Sequence, residues 1–434
     1  MRRFFAGMLV GVLVTAVLGS GDELESAVRF GIFGISGIIP DKAYFTELPL
    51  DVGTSGFWLG PSMGFFGSNK EELHTRQMRE FVEYGLTPIA TFYLGNVGPA
   101  EAEAAEAIVR YYTAGNGVDD VGVPVTYWEL GDEQNGGWGT SCDPREYARR
   151  VSILAPAIRA ACPSCSVVMG GLLDGPGMGD WALEPYFRSF LEAGGAEWID
   201  VYAFHYYGLA RPDAALPGAQ LYDSAIPIVE TMRGLMDAFG VGDRPIWVTE
   251  MCTFSGGIGS IEQSESDQAA DLVKRYVLLW SLDVAVAQWC YLTEPQYEGT
   301  GVGFFDQSGL VYDGEGPYDR GAGVRKRAYF AYQNLVQRLR GAELLGLTTT
   351  SGVTVARFAL PGVPITLLWQ DPWVRQGAVW VTPCAEIGVE GLCGESLGCF
   401  DAPFRLDLTM EPVYLLGAEV GVSLSAPALA PAGP

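Results

Sequence analysis

Between residues 28 and 340 the sequence switches repeatedly from a short β-branched or aromatic run to a longer segment of helical spacing. That alternation limits the fold more than any other feature. The eight runs are 28–36 (VRFGIFGIS), 56–59 (GFWL), 88–94 (PIATFYL), one beginning at Val125 (VTYWEL), 166–172 (SVVMGGL), 199–204, 245–249 (PIWVT) and 284–292 (VAVAQWCYL). Helical segments at 41–48, 69–84, 100–112, 144–161, 180–193, 224–239 and 262–280 separate them, and a last one at 325–340 follows a glycine-rich loop at 294–323. The clearest is 69–84: Asn69 can cap it, acids fill its first turn, Leu73, Gln77, Phe81 and Tyr84 trace a face, and Gly85 stops it. Strands joined through helices run parallel. Eight such units fit a closed (β/α)8 barrel better than an open sheet. The expected fold is therefore α/β, a TIM barrel over residues 21–342.

Past residue 344 the texture changes. Runs at 348–360, 363–369, 378–381 and 404–416 are alternating or apolar, with Pro and Gly between them and no helical period. They predict a small C-terminal β-sandwich over 343–418, followed by a flexible Ala/Pro-rich tail at 419–434. No internal repeat is present beyond the alternation itself.

At the other end, Arg2 and Arg3 precede an apolar run at 4–18 and the small residues Gly19, Ser20 and Gly21. This is the layout of a signal peptide, placed at 1–20. The run is shorter than the roughly 20 residues needed to cross a bilayer, and no other stretch is long and apolar enough, so no membrane span is expected in the mature chain. Export to the periplasm or the medium would suit the eight cysteines, which an oxidising compartment allows to pair. Cys162-Pro-Ser-Cys165 has no partner pair or nearby histidine to make it a zinc or redox motif, so a local bond or two separate bonds are expected. Cys252 and Cys290 each lie just past or within barrel strands, near the cleft that the strand ends would form. Cys384, Cys393 and Cys399 are expected to staple a loop.

Net charge is −25, and loss of Arg2 and Arg3 with the signal takes it two lower, to −27. Such a chain lacks the basic surface that nucleic acid requires. Lysine is confined to Lys42, Lys70, Lys274 and Lys326. An acid-rich, lysine-poor surface suits either a saline habitat or an acidic exported protein from an arginine-preferring genome.

Chemistry is narrowed by what the chain does not contain. With only His74, on a helix expected outside the barrel, and His205, any Ser-His-Asp or Cys-His site would have to use His205, and a zinc site would lack its usual ligands, though carboxylates could hold calcium. No lysine follows a glycine as a P-loop requires, and the glycine runs near 256–259 and 299–303 are weak phosphate signals. No metal and no cofactor is expected. Carboxylates remain. The run from Val125 stops at Gly131 and then Asp132 and Glu133; that at 245–249 stops at Glu250. In a parallel barrel the carboxyl ends of the strands converge on one face, so these acids would share a cleft. Two carboxyls across a cleft can cleave a glycosidic bond, with retention when they lie about 5–5.5 Å apart and inversion at roughly 6.5–9.5 Å. The plainer reading of a lone strand-end acid is a cap for the next helix.

Taken together, WELGDEQN, FHYYG, WVTE and AQW in that order, followed by GFFDQSGLVYD and RKRAYFAYQNL and a terminal strand like EPVYLLG, resemble the clan A glycoside hydrolases, retaining (β/α)8 enzymes that include cellulases, mannanases, β-xylosidases and β-glucuronidases. The resemblance spans residues 27–417. It implies Glu133 as acid/base and Glu250 as nucleophile, with an oligo- or polysaccharide substrate. Glu133 would then need a carboxyl raised by burial and nearby negative charge, and Glu250 would need to be ionised when it attacks. His205 and Tyr207, two apart on an extended end, can face the same side, and the resemblance implies that one of them bonds Glu250 or the sugar; a core histidine satisfied by backbone is the other reading. Trp289 matches the clan's strand-eight tryptophan, either a sugar platform or simple core. Trp138 either lines a distal subsite or covers core, and Glu129 suits an internal hydrogen-bonding acid. Two departures stand out: Leu59 sits near where the clan often has arginine, and Asp132 replaces its usual asparagine. An aspartate there is a tolerated variant, a partner for a substrate's 2-amino group, or the mark of a glycan-binding protein that does not cleave.

Overall fold

The computed structural model describes residues 29–33, 44, 47–48, 50–59, 69–137, 141–175, 177–295, 301–371 and 377–425. The expected signal segment, most of the helix at 41–48 and Trp138 lie outside the described residues. The first strands are β1 (Arg29–Phe33), β2 (Val52–Leu59), β3 (Thr87–Leu94), β4 (Tyr127–Leu130), β5 (Ser166–Met169), β6 (Leu172–Leu173), β7 (Tyr202–Tyr207) and β8 (Ile246–Cys252). A short hairpin, β9 (Gly256–Ile258) and β10 (Ile261–Gln263), precedes β11 (Val284–Cys290). Nine of these form one parallel sheet in the order β5-β4-β3-β2-β1-β11-β8-β7-β6. Its two edge members are halves of one stretch of chain: 166–169 pairs with β4, 172–173 pairs with β7, and Val168 also bridges Val201.

Helices α1 (Asn69–Glu83), α2 (Pro99–Ala114), α3 (Asn116–Val121), α4 (Pro144–Ala161), α5 (Leu183–Glu192), α6 (Ala225–Ala238), α7 (Glu265–Ser281) and α8 (Arg327–Leu339) connect the strands and follow them. Their starts follow from local chemistry. Asp143 caps α4 by accepting from the Arg145 amide at 2.9 Å, with Pro144 in the first turn. Ser264 and Asp267 cap α7 reciprocally, so that helix begins after the β9–β10 hairpin and not at 262 as its composition suggests. The face of α1 is also shifted from expectation. Thr75, Gln77, Met78 and Phe81 are buried and Leu73 is exposed, because packing against β2 and β3 selects one stripe of the helix.

The interior of the parallel sheet is graded along its strands. Val52, Ile89, Val168, Val201, Ala203, Trp247 and Val286 form one apolar cluster. Further along, Thr54 donates to Gln288 Oε1 at 3.0 Å, and Thr91 donates to Glu129 Oε2 at 2.6 Å. Polar side chains therefore line the carboxyl ends.

Beyond α8 come β12 (Glu343–Thr350), β13 (Val353–Leu360), β14 (Val363–Gln370), β15 (Gly377–Pro383), β16 (Ile387–Glu390), β17 (Ser396–Phe400), β18 (Phe404–Leu408), β19 (Val413–Leu416) and β20 (Val420–Ser423). They make two antiparallel sheets, β12-β13-β14-β19-β16-β17 and β18-β15-β20. Val355, Leu368, Val389 and Leu415 of the first share an apolar cluster with Val379, Val381, Leu408 and Val420 of the second. The run expected at 348–360 is instead a hairpin turned at Ser351-Gly352, both at positive φ (52° and 74°), the geometry of a tight two-residue turn. Residues Val420–Ser423, expected to belong to the tail, instead pair with β15, and residues 426–434 lie outside the described residues. Trp280 against Phe358, at a 5.4 Å ring separation, and the paired hydrogen bonds of Arg338 to Glu390 join this unit to α7 and α8.

Cys162 and Cys165 form a disulfide. The expected staple does not form, since Cys384, Cys393 and Cys399 are free. Register explains this: Cys399 faces Gly388 across the β16–β17 pair, and the Cys393 thiol donates to the Arg327 carbonyl at 3.7 Å.

Candidate active site

The chain leaves β4 through Gly131, whose φ of 89° suits glycine, and reaches Glu133 at φ 43°, a left-handed conformation rare for a side-chain-bearing residue. Surrounding bonds hold it there. The Glu133 amide donates to the Gly171 carbonyl at 3.1 Å, and its own carbonyl accepts from Ser141 Oγ at 3.1 Å. Asn135 ties the loop to β6 by accepting from the Leu173 amide and donating to its carbonyl (2.9 and 2.7 Å), and donates as well to the Trp181 carbonyl. Gly171 serves a second purpose. A Cβ there would come within 2.1 Å of the His205 ring, so only glycine lets the imidazole lie under the loop.

On β7, His205 and Tyr207 point to the same side and both reach Glu133. His205 Nδ1 is 3.0 Å from Glu133 Oε1 and Nε2 is 2.9 Å from Thr249 Oγ1. The Tyr207 hydroxyl donates to Glu250 Oε2 and lies 3.3 Å from Glu133 Oε1. An irregularity in β8 makes this arrangement work. Pairing with β7 steps from Phe204↔Val248 to His205↔Glu250, and pairing with β11 steps from Ala287↔Val248 to Trp289↔Met251, so β8 carries one extra residue here. This bulge lets the consecutive residues Thr249 and Glu250 both serve the site, which strict alternation forbids.

His205 Nδ1 is also 3.9 Å from Glu250 Oε2. With 3.0 Å to Glu133 Oε1, the two carboxylate oxygens are at most 6.9 Å apart. The shared tyrosine hydroxyl tightens that limit to about 6 Å, since each side is one hydrogen bond long.

Electrostatics follow from crowding. Glu133 and Glu250 are 8% and 5% exposed and His205 is 1% exposed. Burial disfavours the imidazolium, yet the Glu250 charge, the hydrogen bond and charge of Glu133, and Asp132 outweigh it and push His205 up to about 10. Burial pushes Asp132 up to about 7, with His205 opposing and Glu133 and Glu129 reinforcing. Burial also raises Glu250 well above the usual carboxylate range, against His205 and the Tyr207 hydrogen bond and with Asp132 and Glu133. The physical reason is depth, which the sequence does not show, and ionising Glu250 for attack therefore relies on the His205 charge and the Tyr207 hydrogen bond. Glu129 is raised in the same way by burial, eased by Thr91, the His205 charge, Thr249 and the Gly171 backbone. It is the internal acid expected, one step below the cleft.

The structure thus brings together Asp132, Glu133, His205, Tyr207 and Glu250. Trp289 is not part of the cleft surface. It is fully buried, its indole N–H donating to the Ser308 carbonyl at 3.0 Å, and it belongs to the core. Residues that sequence reasoning left without a role are Thr249, Cys290 and the pair Phe304 and Phe305, whose rings meet Tyr207 edge-on at 6.2 and 5.1 Å. The motif GFFDQSGL was a visible signal for the last two. Asp132, His205 and Glu250 also place potential metal-ligand atoms within 4.8 Å of one another. However, both ring nitrogens of His205 are already committed, to Glu133 and Thr249, which suits a charged donor rather than a ligand. Glu294, Asp313 and Asp319 form a second such group, in which Glu294 is ion-paired with the buried Lys326.

No family profile and no curated protein sequence matches the chain. Solved structures do. A family 39 glycoside hydrolase from the gut symbiont Bacteroides cellulosilyticus WH2 aligns at 17% identity with a TM-score of 0.69, covering 91% of this chain and 82% of its own. A glucosidase from Croceicoccus marinus aligns at 15% identity and TM-score 0.65 over 91% and 96% of the two chains. An α-L-arabinofuranosidase from Thermotoga maritima aligns at 11% and 0.62 over 91% and 97%. At these identities the likeness is one of fold. The chain is built on the α/β architecture, with a C-terminal β unit, found in these glycoside hydrolases. Among the described residues, no helix is long and apolar enough to cross a membrane.

Proposed function

We propose that the protein is a retaining glycoside hydrolase acting on an oligo- or polysaccharide, with Glu133 as acid/base and Glu250 as nucleophile. One observation carries the reading: glutamates from the ends of β4 and β8 converge on a single tyrosine hydroxyl and flank one histidine. In this reading the sheet is a closed eight-stranded ring, with 166–173 as its fifth strand, and the two antiparallel sheets are a β-sandwich at its side. A separation of no more than about 6 Å falls nearer the retaining geometry than the inverting one. Glu133 protonates the leaving oxygen while Glu250 attacks the anomeric carbon; Glu133 then takes a proton from the water that releases the glycosyl-enzyme. His205, held as imidazolium, and the Tyr207 hydroxyl supply the positive charge and the donor that let a buried Glu250 ionise. Phe304 and Phe305 offer an apolar wall beside the reacting sugar.

We also propose that the chain is exported and loses residues 1–20, which a disulfide at Cys162–Cys165 suits. Sequencing the N-terminus of protein from the culture medium tests this.

The activity is tested with aryl β-glucosides, β-xylosides, β-mannosides, β-glucuronides, β-glucosaminides and α-L-arabinofuranosides over a range of pH and salt. Release of the aryl group from at least one, with the first-formed sugar retaining its anomeric configuration by NMR, is the expected result. Binding without release from any of them would make this a glycan-binding protein, and an inverted product would reassign Glu250.

A further inference from the structure

Cys290 ends β11 beside the nucleophile's strand. Its side chain is fully buried, and its sulfur lies 3.7 Å from Glu250 Oε2, within range for a thiol donating to a carboxylate. That same oxygen accepts from Tyr207, while His205 stands 3.9 Å away. From the structure we infer that Cys290 is a positioning residue for the reaction proposed above, whose S–H fixes the orientation of Glu250 and favours its ionised form. The inference rests on Glu250 being the nucleophile.

The surroundings fit a permanent donor. Burial, the neighbouring Cys252 and the Glu250 charge all push the Cys290 thiol well above its ordinary value, so it stays protonated through the working pH range. Glu250 is itself raised by burial, and every donor turned toward it offsets that cost. The groups facing Glu250 across this space are Asp132, Glu133, His205 and Tyr207, with Cys252 behind Cys290. The arrangement leaves Cys290 no catalytic step of its own. With no exposed surface, it meets the site through Glu250.

The test compares Cys290→Ala and Cys290→Val, which lack the donor, with Cys290→Ser, which keeps a hydroxyl, using whichever aryl glycoside the full-length protein hydrolyses. Without the S–H, the acidic limb of the kcat/KM profile should move to higher pH, and kcat should fall about three- to tenfold with KM little changed, as for loss of a weak bond to a charged group. Cys290→Ser should restore most of both. An unmoved limb in Ala and Val, or an equal displacement in all three variants, overturns the inference. A readout in the unmodified protein needs no variant that folds poorly. The infrared S–H stretch of Cys290 should shift when pH crosses the acidic limb, and a band insensitive to pH overturns the inference as well. If the unmodified protein hydrolyses no glycoside, the functional reading fails; the S–H band still reports whether the thiol bonds Glu250.

Discussion

Along the inside of the parallel sheet, two successive levels are built from the same strands. The first holds Val52, Ile89, Ala203, Trp247 and Val286; two residues further on come Thr54, Thr91, His205, Thr249 and Gln288, with Glu129 following Tyr127 on β4. The lower level needs only apolar contact, and any well-fitting set of side chains would serve. The upper level buries acids and an imidazole that each cost free energy to desolvate, and it is tolerable because Glu129 accepts from Thr91 and His205 is held between Glu133 and Thr249. In the proposed reading stability resides in one level and chemistry in the other, in line with the usual conflict between a relaxed fold and a prepared site.

The sharpest test is Glu250→Ala. Hydrolysis should fall on the order of 10^4-fold or more while the melting temperature stays level or rises, since a buried acid has gone. Loss of stability comparable to a core deletion would merge the two levels. Ile89→Ala should do the opposite, costing about 2–5 kcal/mol in denaturant unfolding and leaving kcat/KM of the folded fraction within a few fold. Tyr207→Phe comes next. It removes one bond to a charged group and should cost roughly ten- to a hundredfold in kcat, with little change in stability.

The smallest effect is in pH dependence. His205 rises from 6.5 to about 10 on folding, so its contribution is complete below about pH 6.5 and lost as pH climbs toward 10. Asp132 rises from 3.8 to about 7; the fold prefers its neutral form, so that contribution is present below about pH 4 and lost through about 7. Both slopes have the same sign, with stability falling as pH rises. Urea unfolding across this range should show it, and Asp132→Asn should flatten the part between 4 and 7. A slope unchanged in that variant would mean that Asp132 is not held in the crowded environment described.

Much of this could be read from the chain before folding. Residue types at spacings of two and of 3.6 are local properties, so the parallel strands, α4 and the acids at the ends of β4 and β8 were visible in order. His205 and Tyr207 were legible for the same reason, being two apart on an extended run. The choice between core and cleft for Trp289, the free cysteines of the C-terminal unit and the strand at 420–423 were not, because each depends on which distant segment lies opposite.

By itself, then, the sequence determined the alternation of strands and helices, the change of texture near residue 344 and the short list of acids able to do chemistry. Tertiary structure alone decided that Thr249 and Glu250, neighbours that a regular strand would turn to opposite faces, both reach the site, and that Cys290 meets Glu250 and Phe305 meets Tyr207 there. The physical reason is register. A bulge exists only relative to the strands on either side, here β7 and β11, and those partners are brought alongside β8 by packing that no local pattern encodes.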